Sequence, residues 1–330
     1  MAAISRAQLA KELEPGLNAL FGMEYDRYEN ETTEIYDTES SDRAFEEEVL
    51  IIGFGNAPVK NEGDSVNYDD ASEGYTARYT HQTIALAFAL TEEAVEDNLY
   101  DRLGSRYTKA LARSMAHTKQ VKGAATLNNA FSSSYTGGDG VALVSTAHPL
   151  GGNAGTLSNR PSTYTDLNET SLEQAMIDIA AFTDDRGMIV ALQGMKLIVP
   201  PNSQFIADRL LETPLRPATA DNDINAIRNM GMLPNGYVVN HFLTDTDAWY
   251  VKTDCPDGFK HFERAPLTTA LEGDFDTGNM RYKARERYSF GYSNYRCVYA
   301  SHGYDVSHSI ITKKGVFGLP FFMCYPSFFK

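Results

Sequence analysis

The sequence predicts an α+β fold in which one very long helix and several long strands dominate the chain. Residues 91–131 carry apolar or small side chains at three- and four-residue steps, the pattern of an amphipathic helix. Residues 75–90 and 279–300 alternate apolar and polar positions, the pattern of long strands with one buried face. A long helix and long strands in separate stretches favour the α+β class.

Length and composition are those of a globular protein with a conventional core. A chain of 330 residues is long enough for about two or three domains, and 42% hydrophobic with 22% charged residues is ordinary. The net charge of −15 argues against a protein that binds nucleic acid through its phosphates, because that affinity comes from Lys and Arg. A protein that merely encloses DNA is not excluded, and an acidic inner wall would not adhere to the DNA.

The start of the sequence and the cysteines indicate a reducing compartment. Residues 1–20 include charged side chains and no apolar run, so neither a signal peptide nor a membrane anchor is expected. The three cysteines, Cys255, Cys297 and Cys324, are far apart and form no metal-binding pair. Buried free thiols in a cytoplasmic environment are therefore expected.

The N-terminal third predicts a short helix, a polar arm and a long hairpin. The helix covers residues 5–13 and ends at Pro15. Residues 25–48 are acidic and lack periodicity, which suits an extended arm laid over another surface. Residues 49–54 and 75–90 are strand-like and flank an acidic, turn-rich tip, so they are expected to form a hairpin that rests on another surface, such as that of a neighbouring subunit.

The helix predicted over residues 91–131 would be roughly 60 Å long at the standard rise. Its apolar face includes Met115 and Val121. Acidic residues crowd its start and basic residues follow, which matches the helix dipole. Gly104 and Gly123 indicate bends or close packing.

The middle of the chain predicts short elements in the order strand, helix, strand, helix, followed by further strands. Their expected ranges are 141–146, 171–185, 195–199, 203–211 and 236–251. The helix over 171–185 is expected to stop at Gly187.

The last long strand separates basic and aromatic side chains on its two faces. The basic residues are Arg281, Lys283, Arg285 and Arg287. A basic groove lined with aromatics can hold a single nucleic-acid strand, but here the aromatics lie on the opposite face and are expected to pack in the core. The preferred interpretation is a docking site for an acidic hairpin tip of another subunit, such as the one with Asp69, Asp70 and Glu73.

Matches to enzyme sites are incomplete. Gly53-Phe54-Gly55 lacks the third glycine and the following helix of a nucleotide-binding loop, which indicates a turn. No G-x-S-x-G motif occurs, and Ser145 and His148 are too close in sequence for a usual catalytic triad. No catalytic or cofactor-binding residue is predicted.

A calcium-loop match fails at its decisive positions. Asp221, Asp223 and Asn225 imitate the first half of such a loop. Ala226 and Met232 stand where glycine and glutamate are required.

Two other groupings are weak metal candidates. Asp245 and Asp247 would need a third carboxylate, so a solvated turn is the preferred interpretation. His302 and His308 are a close histidine pair but a poor basis for a zinc site. No metal site is therefore predicted.

The order of these parts resembles the Hong Kong 97-type phage capsid fold. Four local sequences are more specific, and they are similar to the Mu-like major head subunit family. They are Ile4-Ser5-Arg6-Ala7-Gln8-Leu9, Gly74-Tyr75-Thr76-Ala77-Arg78-Tyr79, Thr146-Ala147-His148-Pro149-Leu150 and Leu197-Ile198-Val199-Pro200-Pro201. The likeness extends over about residues 1–303 and includes no catalytic signature.

The resemblance implies a division of the chain into named parts. They are an N-terminal arm (1–42), an extended loop (43–90), a peripheral domain (91–170) with a spine helix (91–131), an axial domain (171–278) and a peripheral return strand (279–303). The apolar tail over 304–330 lies outside the resemblance. It is too short and too interrupted by proline for a membrane helix, and it is expected to bury against a neighbouring subunit.

The resemblance also implies a function. The expected protein is the major head protein of a tailed bacteriophage, assembled in the host cytoplasm into hexamers and pentamers of an icosahedral shell around double-stranded DNA. The expected partners are a separate scaffold protein, a portal and decoration proteins, with no membrane and no enzymatic activity. Some relatives crosslink a lysine of the extended loop to a neighbouring asparagine; Lys60 is placed for that role, but an uncrosslinked shell is the preferred expectation.

Two alternatives remain open at this point. The first keeps the fold and makes the chain the shell of an encapsulin-like nanocompartment. The second is a metal-dependent enzyme that uses Asp245 and Asp247.

Overall fold

The computed structural model describes residues 6–91, 100–151, 155–215, 223–273 and 278–303. The helices are α1 (Arg6–Tyr25), α2 (Tyr100–Asn128), α3 (Glu169–Ala180), α4 (Gln204–Glu212) and α5 (Ala226–Met230). The strands are β1 (Asp37–Ser40), β2 (Phe45–Ile52), β3 (Ser72–Thr80), β4 (Gln82–Leu90), β5 (His148–Pro149), β6 (Thr156–Leu157), β7 (Gly194–Val199), β8 (Tyr237–Val239), β9 (Trp249–Thr253), β10 (Phe259–Gly273), β11 (Met280–Tyr292) and β12 (Val298–Ser301).

Two four-stranded sheets organise these elements. The long sheet has the strand order β1-β10-β11-β4, and the short sheet has the order β12-β9-β7-β8. In the long sheet β1 runs parallel to β10, and the other neighbours are antiparallel. Strands β2 and β3 form a separate antiparallel hairpin, and β5 pairs with β6. This mixture of helices and mainly antiparallel sheets confirms the predicted α+β class.

Helix α1 continues through Pro15, which was predicted to end it, so this prediction is wrong. Proline inside a helix costs about 3 kcal/mol because it removes a hydrogen bond and crowds the preceding turn. The turns after Pro15 carry Leu17 and Phe21, which are buried in one cluster with Met115 of α2 and Tyr282 of β11. Burial of two such side chains contributes about 3–6 kcal/mol, which offsets the proline.

The polar arm after α1 lies on its own chain. Ile35 and Tyr36 are buried in the core, and the Tyr36 hydroxyl donates a hydrogen bond of 2.7 Å to the Gly123 carbonyl of α2. Strand β1 then adds to the edge of the long sheet. A side chain at Gly123 would come within 2.2 Å of Thr32 in the arm, so this glycine permits close packing.

The long strand predicted over residues 75–90 is divided in two. Strand β3 pairs with β2 in the hairpin, whereas β4 pairs with β11 in the long sheet. Only His81 separates them, and its two ring nitrogens lie 3.0 Å from the hydroxyls of Ser41 and Ser289. The hairpin over residues 49–54 and 75–80 is therefore confirmed, while its second strand is shorter than predicted.

The spine helix is confirmed as α2 over the part that the structure describes, which is about 43 Å long at 1.5 Å per residue. Residues 92–99, predicted as its start, lie outside the described residues. Met115 is buried as expected, but Val121 is exposed, because the buried face runs through Leu111, Ala124 and Leu127.

The prediction of a strand over residues 141–146 is wrong. Leu143 and Val144 are buried as their apolar character suggests, but only a single bridge, from Thr136 to Ala142, has ladder geometry. The side chain of Asn159 satisfies the backbone here, since it accepts from the Ser145 amide and donates to the Leu143 carbonyl. A buried segment whose polar groups are paired by a side chain needs no neighbouring strand.

The helix predicted over residues 171–185 is α3, and it ends earlier than expected. Asn168 and Ser171 form a reciprocal capping box at its start. Beyond Ala180 the Val190 amide donates to the Phe182 carbonyl at 2.9 Å, which closes a tight turn through Gly187. These turn contacts replace the last helical turn.

The single strand predicted over residues 279–300 is also divided. Strand β11 ends at Tyr292, and Asn294 caps a short 3-10 turn that leads into β12 of the short sheet. Cys297 in this turn is fully buried, in one core cluster with Tyr250 of the short sheet and Phe259 of the long sheet. The strand-turn-helix predicted from residue 195 is confirmed as β7 and α4.

No helix within the described ranges is long and apolar enough to cross a membrane.

Candidate assembly surfaces

The hairpin β2–β3 and the loop between its strands expose large apolar side chains. Val59 and Tyr68 in the loop are 91% and 97% exposed. Other exposed apolar residues of this unit are Phe45, Val49, Ile51, Phe54 and Val66. A two-stranded ribbon with this much exposed apolar surface is marginal in water, so it requires a surface to pack on.

A buried lysine fastens the base of this hairpin. The Lys260 ammonium of β10 lies 3.2 Å from Glu39 of the arm and 3.1 Å from Asp257, and it forms a third ion pair with Glu48 of the hairpin. Burial lowers the pKa of Lys260, but the hydrogen bonds and charges of these carboxylates together outweigh it and raise the pKa above its ordinary value. The arm, the hairpin and the long sheet therefore meet at one cation.

A hydroxyl chain beside the lysine makes a second connection. Ser293 donates a hydrogen bond to the Glu48 carboxylate, so its oxygen accepts from the Tyr79 hydroxyl at 2.5 Å. The Tyr79 ring packs edge-on against Phe262 at 4.8 Å and lies over Gly291. Both strands of the hairpin are thus bound to β10 and β11 at their base.

The loop that follows α2 closes over the hairpin base. A side chain at Gly138 would come within 2.6 Å of the Tyr75 ring and 2.7 Å of the Thr76 carbonyl oxygen. The backbone of Thr76 belongs to a strand and moves only with the hairpin. This position therefore requires glycine.

Replacement of Gly138 by alanine should destabilise the chain by about 1–3 kcal/mol, because an overpacked site must shift backbone. Gly53→Ala is the matched control, since a side chain there meets nothing within 4 Å. Urea unfolding of both variants measures the difference. Equal stability of the two variants would contradict the close packing.

The outer face of the long sheet carries a flat basic strip, defined here as Arg281, Lys283 and Arg285. These side chains are exposed, while their neighbours Tyr282 and Ala284 are buried against α1 and α2. Their cross-strand partners on β4 are the small residues Ala89, Ala87 and Ala85. The predicted separation of basic and aromatic faces is confirmed, and nothing bulky on β4 shields the cations.

The inner face of β11 contains one acid that the predicted alternation did not anticipate. Glu286 is buried, and its carboxylate lies 3.4 Å from the Lys119 ammonium of α2. Burial raises the pKa of Glu286, and the Lys119 charge opposes that rise. The pair ties the spine helix to the long sheet.

A second apolar surface lies on helices α4 and α5 and on the bridge between them. Its exposed side chains are Phe205, Leu215, Ile224 and Met230. The predicted tip residues Asp69 and Asp70 lie elsewhere, beside Arg186 of the same chain. The Arg186 guanidinium is 3.7 Å from the Asp69 carboxylate and donates a hydrogen bond of 2.7 Å to the Asp70 carbonyl.

His148, weighed above with Ser145, belongs to a buried polar network. Its Nδ1 lies 2.6 Å from Asp139 and its Nε2 lies 3.1 Å from the Asn159 side-chain oxygen. Its ring stacks on Tyr295 at 3.8 Å. The histidine links segments of the core and does not form a dyad with Ser145.

The weak metal candidates do not assemble into a site. The Asp245 carboxylate accepts a hydrogen bond of 3.0 Å from the Asp247 amide. The two residues therefore form a local turn, as predicted. Asn225 caps α5 and donates to the Leu210 carbonyl, and Asp221 lies outside the described residues. His302 packs on the Tyr164 ring. Within the described residues no group of three His, Cys, Asp or Glu could hold a metal ion.

The remaining predictions concern the cysteines, the glycine motif and Lys60. Cys255 and Cys297 are free thiols, and burial raises the pKa of Cys255 to about 12. Gly53-Phe54-Gly55 was predicted to form a turn, but the structure has no turn at these residues. Gly55 lies in the hairpin loop, where its amide donates to the Asp69 carboxylate at 2.7 Å. Lys60 is exposed in the same loop. Cys324, His308 and the tail over 304–330 lie outside the described residues.

Comparison with known proteins identifies the family. Residues 74–301 match a family model described as phage capsid protein. The chain belongs to this phage capsid protein family. No curated protein matches this capsid protein.

Solved structures share its fold at low sequence identity. The virus-like particle from Pyrococcus furiosus is 8% identical with a TM-score of 0.53, over 87% of this chain and 98% of that chain. The capsid of Myoviridae Phage XM1 is 11% identical with a TM-score of 0.51, over 82% of this chain and 89% of that chain. The predicted Hong Kong 97-type fold is confirmed, and the Mu-like subfamily stays a prediction.

Family membership establishes a phage major capsid protein, a structural component of the virion that self-assembles into a shell. It favours a phage head over an encapsulin-like nanocompartment. The exposed apolar hairpin and the basic strip are surfaces of this subunit that are accessible to other copies.

Proposed function

We propose that this capsid protein forms the hexamers and pentamers of an icosahedral shell that encloses double-stranded DNA. The observation that supports this proposal is the hairpin, which is fastened at its base by Lys260 but exposes Val59 and Tyr68 at its far end. An arm fixed at one end and apolar at the other is suited to packing on the next subunit.

The proposal keeps the division into parts that the resemblance implies. Residues 1–42 serve as the arm, 43–90 as the extended loop, 91–170 and 279–303 as the peripheral domain, and 171–278 as the axial domain. The exposed apolar residues of α4 and α5 lie in the last of these and are suited to contacts among copies around a capsomer axis.

The proposed partners are a separate scaffold, a portal and decoration proteins, with assembly in the host cytoplasm. The proposed role involves no catalysis and requires no metal or cofactor. DNA is enclosed without sequence-specific contacts, in keeping with the net charge of −15.

Electron microscopy and size-exclusion chromatography of the purified chain, alone and with its scaffold, test this function. Closed shells or capsomer rings are the expected result. A monomer or small dimer under all conditions would contradict it. A single monomer band from denatured heads would exclude a crosslink through Lys60.

The basic strip is proposed to receive an acidic segment of a neighbouring copy. Arg285→Glu should lower the yield of closed shells at least tenfold, because it places like charges at a contact that needs complementarity. Arg113→Glu, an exposed site on α2, is the matched control and should assemble normally. The yields are compared by sedimentation and microscopy, and an unchanged yield for Arg285→Glu would remove the strip from the interface.

A further inference from the structure

A shallow cleft beside the C-terminal end of α2 holds one arginine and several hydroxyls. Its volume is about 290 Å³. The polar side chains that line it are Ser133, Thr136, Ser145 and Arg160, with the rings of Phe131 and Tyr164 completing the walls. No aspartate or glutamate is among the lining residues.

Aromatic rings hold the arginine in place. The Arg160 guanidinium carbon lies 4.2 Å from the centre of the Tyr164 ring. The Tyr164 ring is itself 3.6 Å from the His302 ring, and Phe131 packs edge-on against both. A stacked guanidinium is oriented before any ligand arrives, so less rotational freedom is lost on binding.

Arg160 lacks the partner that a buried arginine usually has. Its Nε is buried without a hydrogen-bond partner, and no carboxylate of the described residues lies within ion-pair distance. Arg296 shows the contrast, because it lies 3.3 Å from Asp185 and donates to the Thr183 carbonyl. Arginine does not lose its proton in proteins, so Arg160 remains a partly buried cation without a counter-ion.

The chemistry of the cleft selects a carboxylate. A planar guanidinium pairs with a planar carboxylate through two parallel hydrogen bonds, and the surrounding hydroxyls are further donors. The chain has 44 acidic against 29 basic residues, so a neighbouring copy presents carboxylates in excess. The net charge of −15 disfavours approach of DNA phosphates to the same cleft.

We propose that this cleft binds an aspartate or glutamate side chain of a second copy of the chain and so forms an inter-subunit contact. The proposal rests on the proposed assembly into shells. It differs from the docking of the hairpin, because Arg160 lies neither on the hairpin nor on the basic strip.

A zero-length crosslink can identify the ligand. Arg160→Lys places a primary amine in the cleft, and a water-soluble carbodiimide couples an amine to an adjacent carboxylate, taking up the elements of water as the amide forms. Shells are assembled from equal amounts of ¹⁴N- and ¹⁵N-labelled Arg160→Lys protein and analysed by mass spectrometry. The expected product joins Lys at position 160 to an acidic residue in peptides of mixed isotope composition. Arg113→Lys is the control, and it should give no product of mixed isotope composition that involves position 113.

Assembly of Arg160→Gln gives the second readout. Its yield of closed shells should fall at least tenfold while its urea unfolding curve stays close to that of the natural chain. Crosslinks confined to one isotope, or a normal yield of Arg160→Gln shells, would overturn the proposal. Normal shells that fail to retain DNA would also overturn it and assign the cleft to phosphate. If the natural chain forms no shells, the failure lies with the proposed function instead.

Discussion

Lys260→Met should lower the free energy of unfolding by about 3 kcal/mol and release the hairpin from the long sheet. Removing one member of a buried ion pair leaves the others without a counter-charge, which costs about 3–5 kcal/mol in well-buried cases. The lower end applies here, because Asp257 and Glu39 are partly solvated. Glu48 is the partner most affected, since it is the least exposed of the three carboxylates.

Two measurements separate the global and the local effect of this change. Urea unfolding reports the loss of stability, and hydrogen exchange of residues 45–80 reports release of the hairpin. Lys283→Met is the matched control, because that lysine is half-exposed and lies 4.0 Å from Glu272. The control should lose less than about 1 kcal/mol. Equal losses in the two variants would show that the Lys260 cluster does not fasten the hairpin.

Asn159→Ala should destabilise the chain by about 4 kcal/mol. The Asn159 side chain donates to the carbonyls of Leu143, Tyr295 and Val298, and it accepts from the Ser145 amide and from His148. Alanine would remove all these contacts, and each buried group left unpaired costs about 1–3 kcal/mol where no water enters. The Tyr295 carbonyl is spared, because it still accepts from the Val298 amide.

Thermal and urea unfolding measure this loss, and Asn61→Ala in the exposed hairpin loop is the control. The control should be within about 0.5 kcal/mol of the natural chain, as surface substitutions usually are. A loss below about 1 kcal/mol for Asn159→Ala would mean that water replaces the amide. The loss should be larger than that of Gly138→Ala, because several partners are lost together.

The sequence predicted correctly the elements whose side-chain periodicity is set by their own residues. The alternation in β11 placed Arg281 and Tyr282 on opposite faces, and the three- and four-residue spacing located the spine helix. The predicted helix end at Pro15 and the predicted unbroken strand through His81 were wrong, because tertiary contacts determine the structure at both places. Leu17 and Phe21 keep α1 helical beyond the proline, and the pairing of β4 with β11 divides the predicted strand.

The groups that fasten the candidate surfaces have no local signature. Lys260 meets Glu48 across 212 positions of the sequence, and Asn159 meets Tyr295 across 136. An isolated lysine or asparagine in the sequence does not reveal such a partner. Arg160 is harder still, because its distinguishing property is the lack of a carboxylate, which only the folded arrangement of the described residues displays.

His81, the single residue between β3 and β4, limits how far the hairpin can swing relative to the long sheet. Its base is clamped through Glu48 and Tyr79, and His81 leaves no slack in which a pivot could turn. The loop between the strands is held as well, because Arg186 contacts Asp69 and the Asp70 carbonyl, so a displacement of the far end must break these contacts or bend the two strands. A hairpin held at both its base and its loop resists bending, so we expect it to keep one orientation on its own subunit before any neighbour arrives.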